Sequence, residues 1–173
     1  MKLGSWNIGT LTDKLRELAD VFAKRKVTIA CLQETKWVGE KAKEVQGTRF
    51  KCKYIGTTKS RNGVEIMIDR SFKDKTIDVK RKDNRIMMIK HVVGDLILNS
   101  LCVYTLQVGL QSNEKNQFWE DLEEVLRGIP RVERIFRGGD LNGHVDQNNG
   151  GFDKIHGGFG YGMRNETGED ILN

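Results

Sequence analysis

Gly138-Gly139-Asp140-Leu141-Asn142-Gly143-His144 follows the apolar pair Ile135-Phe136 and places a carboxylate and an amide two residues apart. Where a buried strand runs out into glycines, two such side chains can be presented to one point, which suits a hard cation or a phosphate. Asp, Asn and Gly are also the ordinary residues of turns, so the stretch alone does not distinguish a site from a bend. Near the start of the chain, Trp6-Asn7 and Gln33-Glu34 likewise close apolar runs on polar side chains. Asn7, Glu34, Asp140 and Asn142 thus all follow strand-like segments, and ligands of an open α/β sheet gather at the carboxyl ends of its strands. Oxygen and amide donors without a His/Cys cluster favour magnesium or manganese over zinc. Glu34 is the best candidate metal ligand, its bland alternative being an exposed Glu at a strand end.

The elements that must deliver these residues can be read in order. Met1 to Asn7 reads as a strand. Thr10 to Asp13 offers helix-cap chemistry, and Leu15, Leu18, Ala19, Phe22 and Ala23 recur at helical spacing, with Lys24-Arg25-Lys26 in the last turn where cations suit the helix dipole. Val27 to Leu32 is a continuous apolar run, the pattern of a strand buried on both faces. The three together predict a β-α-β unit whose parallel strands bring Asn7 and Glu34 to one sheet edge. From Phe50 to Val103, short alternating runs are separated by polar clusters such as Ser60-Arg61-Asn62-Gly63, which predicts an antiparallel meander. Ser112 or Asn113 should cap a second amphipathic helix carrying Phe118, Trp119, Leu122, Val125 and Leu126, stopped by Gly128. The glycine-dense stretch from Gly150 to Gly162 reads as a loop whose Phe152, Phe159 and Tyr161 either stack on bases or pack in turns. Asn165-Glu166-Thr167-Gly168 predicts the cap of a helix beginning at Glu169.

At 173 residues the chain is expected to form a single domain, residues 1–173, large enough to bury an apolar core. No apolar run approaches the roughly 20 residues that cross a bilayer, and no secretory h-region is present, so nucleus or cytoplasm is expected rather than secretion. Cys31, Cys52 and Cys102 lie in apolar segments without metal-like spacing, which predicts free, buried thiols. A net charge of +5 fits a polyanionic partner, although 24 acidic residues dilute the excess. The clusters Lys24 to Lys26 and Lys80 to Lys82 could contact phosphates or serve as solvated faces.

Ser5-Trp6-Asn7, Leu32-Gln33-Glu34-Thr35-Lys36, Tyr104 followed by Gln107, and Gly138 to Asn142, in that order and spacing, resemble the endonuclease/exonuclease/phosphatase superfamily. Asn62-Gly63-Val64, Gly138 to Val145 and Gly157 to Leu172 resemble in particular the LINE-type retrotransposon endonucleases, including the craniofacial development protein 2-like group. The resemblance implies a two-sheet α/β sandwich that hydrolyses a phosphodiester with Mg2+, or Mn2+, and acts on DNA. It assigns Glu34 and Asn7 to the metal, Asp140 to the attacking water, Asn142 to positioning the phosphate, and Tyr104 to a hydrogen bond with the scissile phosphate.

Three departures accompany the resemblance. The family's terminal Asp-His motif lies beyond the last residue here, so the sandwich is expected to lack its last strands, to expose a sheet edge and to work at reduced rate. His91, His144 and His156 do not match the missing His by position. Thr105-Leu106 replace a small residue and a proline after Tyr104, and Glu65 occupies a strand position where relatives tend to carry glycine. Two functions stay open: a DNA endonuclease, or a catalytically inactive retroelement remnant that at most binds metal or nucleic acid weakly. A lipid or inositol phosphatase is a weaker third.

Overall fold

The computed structural model describes residues 1–58, 62–105, 112–148 and 150–172. Two mixed sheets pack face to face, each covered on its outer side by a helix. The first begins with β1 (Leu3–Asn7), crosses through helix α1 (Leu15–Arg25) and returns as β2 (Ile29–Gln33), parallel to β1 with Asn7 opposite Gln33. It continues with β3 (Gly39–Glu44), β4 (Phe50–Gly56) and β5 (Val64–Asp69), in the spatial order β1-β2-β5-β4-β3. A 3-10 turn at Arg70–Lys75 then carries the chain into the second sheet. That sheet holds β6 (Thr76–Asp83), β7 (Ile86–Val93), β8 (Leu96–Tyr104) and, after helix α2 (Ser112–Arg127), β9 (Arg134–Asp140), in the order β6-β7-β8-β9. A short helix, α3 (Glu166–Leu172), closes the described chain.

The two-sheet sandwich agrees with expectation, and its interior follows from side-chain alternation. Ile29, Cys31, Val64, Ile66 and Ile68 face Met87, Ile89, Leu98, Cys102 and Tyr104 across the gap between the sheets. The opposite faces bury Leu32, Cys52 and Met67 under Leu18, Ala19 and Phe22 of α1, and Ile86, Met88, Leu101 and Val103 under Phe118 and Leu122 of α2. Because β2, β5 and most of β7 and β8 are covered on both sides, nearly every residue in them is buried. The three cysteines are free and buried as expected. The Cys31 and Cys102 thiols reach across the gap to the carbonyls of Leu101 and Leu32 at 3.6 and 3.4 Å.

Several expectations are corrected. The segment from Phe50 to Val103 is not one meander, because the turn at Arg70–Lys75 divides it between the sheets. Strand β3 went unread because its Gly-Glu-Lys-Ala-Lys-Glu sequence has no apolar face; it is an exposed edge strand, and charge on such an edge discourages pairing with other chains. No side chain caps α1, whose N-cap position is Lys14 rather than a residue of Thr10 to Asp13. Helix α3 starts at Glu166, three residues before the expected Glu169, with Asn165 Oδ1 accepting from the Gly168 N–H at 2.8 Å. The Ser112 side chain, the Ser60-Arg61 turn residues and Gln107 lie outside the described residues. Finally, β9 does not run out into Gly138-Gly139 but continues through both to Asp140. A Cβ at Gly138 would lie 2.8 Å from Cys31 Cβ and 3.1 Å from Ser5 Cβ, and one at Gly139 2.4 Å from Val103 Cγ2. Gly138 allows β9 to lie close against the other sheet, and Gly139 allows it to lie close against Val103 of its neighbour β8.

Candidate active site

The parallel pairs β1–β2 and β8–β9 end at the same rim, and their last residues carry the expected constellation. Asn7 ends β1, Tyr104 ends β8 and Asp140 ends β9 directly opposite Tyr104, while Glu34 stands one residue past β2. The Asn7 amide bridges the two carboxylates, its Nδ2 donating to Glu34 Oε1 at 2.8 Å and to Asp140 Oδ2 at 2.8 Å. Its Oδ1 accepts from the Gly9 N–H at 3.1 Å. Tyr104 donates its hydroxyl to Glu34 Oε1 at 2.9 Å. Asp140 Oδ1 accepts from the Asn142 N–H at 3.0 Å, closing a local Asx turn. Residues separated by 133 positions in the chain are therefore in direct contact.

Glu34 and Asn142 both occupy the left-handed region, with φ of 58° and 48°. For residues other than glycine this conformation costs about 1–3 kcal/mol, and it persists only where surrounding contacts hold it. Those contacts are visible. Thr35 donates its N–H to Gly63 O at 3.2 Å and Lys36 to Asn62 O at 3.1 Å, fixing the chain just after Glu34. Asn142 Nδ2 donates to Thr105 O at 2.9 Å, Thr105 N–H to Asp140 O at 3.0 Å, and Thr105 Oγ1 to Leu141 O at 3.2 Å. Thr105, noted from the sequence as a departure after Tyr104, is a buried tie between β8 and the Asp140–Asn142 turn. A small residue lacking its hydroxyl would lose one of these bonds. Gln33, named from the sequence beside Glu34 but given no role there, is buried and shares side-chain hydrogen bonds with Ser5 at 3.4 and 3.3 Å and with Cys102 Sγ at 3.4 Å. A buried glutamine directly before the rim was its only sequence signal.

Burial raises the Tyr104 pKa, and its hydrogen bond to Glu34 and the fields of Glu34 and Asp140 raise it further. The phenol therefore stays protonated and remains a donor. Glu34 and Asp140 are only half-buried and keep access to solvent. Glu34 Oε1 holds two donors, whereas Oε2 has none among the described residues. Two carboxylates, one of them with an oxygen to spare, suit a hard cation that retains several waters; among the described residues no group of three or more His, Cys, Asp or Glu is placed to hold a metal ion.

Of the histidines, His91 is buried in the second sheet near Thr76 and Phe72, and His156 is buried in the loop before α3. Only His144, exposed and two residues past Asn142, stands beside the rim, with Nδ1 3.3 Å from Tyr161 O. The Lys80 to Lys82 cluster is largely neutralised locally, Arg81 pairing with Glu40 and Lys82 with Glu124 and Asp121.

No protein-family model matches the chain. Over 172 residues it is 26% identical to craniofacial development protein 2 of Bos taurus, a match that covers 98% of this chain and 28% of the relative's length. Among solved structures, it superposes on an AP endonuclease from Archaeoglobus fulgidus with a TM-score of 0.62 at 18% identity, covering 90% of this chain and 63% of that one. It also superposes on the endonuclease domain of TRAS1, a telomere-specific non-LTR retrotransposon, with a TM-score of 0.57 at 18% identity, covering 94% of this chain and 65% of that one. The chain has the endonuclease/exonuclease/phosphatase fold. It spans under a third of the length of the curated relatives it matches.

Proposed function

We propose that the chain is a divalent-metal-dependent phosphodiesterase that nicks DNA in the manner of a retrotransposon-type endonuclease. The observation that carries the reading is the Glu34–Asn7–Asp140 bridge, in which one amide holds two carboxylates from different sheets at one solvent-accessible rim. Glu34, with Asn7 beside it, would hold Mg2+ or Mn2+, and the bound ion would supply positive charge against the phosphate. Asp140 is oriented by the Asn7 amide and the Asn142 N–H, so its carboxylate is aimed and can take a proton from an attacking water. Asn142, fixed by Thr105, presents amide chemistry to a phosphate oxygen. Tyr104, kept protonated, offers a donor at the same place. The similarity to nucleases over nearly the whole chain supports a nucleic-acid substrate over a lipid or inositol phosphate. Three buried free thiols suit a reducing compartment, nucleus or cytoplasm.

The test is Mg2+-dependent relaxation of supercoiled plasmid by wild type beside Glu34→Gln and Asp140→Asn. Nicking by wild type and loss in both variants supports the proposal. Wild type at the level of the variants in both Mg2+ and Mn2+ overturns it in favour of the inactive, nucleic-acid-binding alternative.

A further inference from the structure

Two residues beyond Asn142 the chain enters a glycine-rich loop whose backbone is tightly pinned. His156 Nε2 lies 3.0 Å from the carbonyl oxygens of both Val145 and Asp146, and the Gly158 N–H donates to Nδ1 at 2.8 Å. That pattern puts the imidazole proton on Nε2. Arg164 donates to Val145 O at 3.3 Å and lies over the Phe152 ring at 5.0 Å from its centroid. His144 and Asn165 exchange two further bonds, His144 N–H to Asn165 Oδ1 at 3.1 Å and Asn165 N–H to His144 O at 3.1 Å.

The return run of this loop is Phe159-Gly160-Tyr161-Gly162-Met163. Its glycines face inward, since a Cβ at Gly160 would lie 2.0 Å from Asp146 O and one at Gly162 3.6 Å from His144 Nδ1. Its large side chains face outward, with Phe159 92%, Tyr161 84% and Met163 87% exposed. In a soluble protein an alternating apolar run normally turns that face to the core. Here the order is reversed, and the glycines bring the run onto the backbone directly after Asn142.

We propose that Phe159, Tyr161 and Met163 form a stacking ledge for unpaired bases of a DNA strand whose phosphate sits at the Asn7–Glu34–Asp140 rim, a reading that rests on the nuclease function proposed above. The occupant follows from position. The Tyr161 carbonyl touches His144, and His144 is two residues, at most about 7 Å of chain, from Asn142. The face therefore adjoins the rim at which such a strand would be held. Flat rings and a thioether accept any base through its π-face, so the ledge is tolerant of sequence and selects for unstacked bases. His156 is the positioning residue that holds the loop in place.

Fluorescence anisotropy with a short fluorescein-labelled single-stranded oligodeoxynucleotide and its duplex, in EDTA so that no strand is cut, tests the ledge separately from the chemistry. Phe159→Ala/Tyr161→Ala should weaken single-strand binding about 10- to 100-fold while leaving duplex binding unchanged. Phe159→Trp should preserve it, and His156→Gln should weaken it with the exposed residues intact. Equal single-strand affinity of the double variant and wild type overturns the proposal, as does an equal loss on duplex. A wild type that nicks plasmid with no contribution from the ledge sinks the ledge alone. A ledge-dependent binder that never nicks sinks the nuclease reading and leaves the ledge standing.

Discussion

The molecule places acidic side chains in two opposite environments. At the rim, Glu34 and Asp140 are half-exposed and accept hydrogen bonds from Asn7, Tyr104 and the Asn142 backbone. Inside the first sheet, Glu65 of β5 is fully buried between its partners Leu32 and Tyr54, and neither of its oxygens has a hydrogen-bond partner among the described residues. Burial pushes the Glu65 pKa up to about 8, against the opposing pull of the nearby Cys52 thiol and Lys43 ammonium. A carboxylate stays charged and useful where donors and water reach it, and gives up its charge where they do not. The proposed chemistry is therefore placed at the rim and not at Glu65.

The sharpest way to break that comparison is at the rim. Asp140→Asn keeps shape but removes the base, and should lower nicking about 10²- to 10⁴-fold with DNA affinity in EDTA unchanged. A residual rate within a few-fold of wild type, measured by plasmid relaxation, would remove Asp140 from the chemistry. Tyr104→Phe deletes one donor to Glu34 and should cost about 10- to 100-fold. Because the phenol is held protonated, the pH–rate profile of that variant should keep the wild-type shape. A shifted alkaline limb would instead identify Tyr104 as a titrating group.

Much of this rim was legible because strands advertise their ends. The apolar runs closing on Asn7 and Glu34, together with an intervening amphipathic helix, imply a parallel pair, and the register places Asn7 opposite Gln33 as that reading requires. Asp140 and Asn142 were legible by type, but their supports were not. Glu34 and Asn142 adopt left-handed backbone that no propensity suggests, and they do so because Gly63, Asn62 and Thr105, distant in sequence, hold them there. Alternation misled in the middle of the chain, since β5, β7 and β8 are buried on both faces and only a turn, not a change of pattern, marks the crossing between sheets. The aromatics Phe159 and Tyr161 could be read as composition, but their direction depended on which side the glycines pack.

A stability experiment sharpens the geometric half of the comparison. Asp140 meets Asn7 only because β9 lies close against β1 and β2, and Gly138 is the point of contact. Gly138→Ala places a Cβ 2.8 Å from Cys31 Cβ, which neither backbone can relieve without a shift. Overpacking of this kind costs about 1–3 kcal/mol. The urea midpoint should fall accordingly, and nicking should fall with it as the two carboxylates are pushed apart. An unchanged midpoint would mean that the sheets are not in the close contact described.

The smallest effect in acid is expected inside, at Glu65. Its folded pKa of about 8 lies above the model-compound value of 4.5, so between those limits the folded state holds a proton that the unfolded chain has released. Folding stability linked to this group is complete below about pH 4.5, declines as pH rises through about 8, and is flat above. Glu65→Gln replaces the carboxyl with a neutral amide of the same shape, so below about pH 4.5, where the carboxyl is protonated in both the folded and the unfolded chain, the two proteins should have almost the same urea midpoint. Between about pH 4.5 and 8 the wild type loses stability as its unfolded chain ionises and the variant does not, so Glu65→Gln should become progressively the more stable of the two, with the difference level above about pH 8. The difference between the midpoints, followed from pH 5 to 9, isolates this carboxyl from every other titrating group shared by the pair. A constant difference across that range would mean that Glu65 is ionised and paired in the folded state, and the contrast with the rim carboxylates would fail.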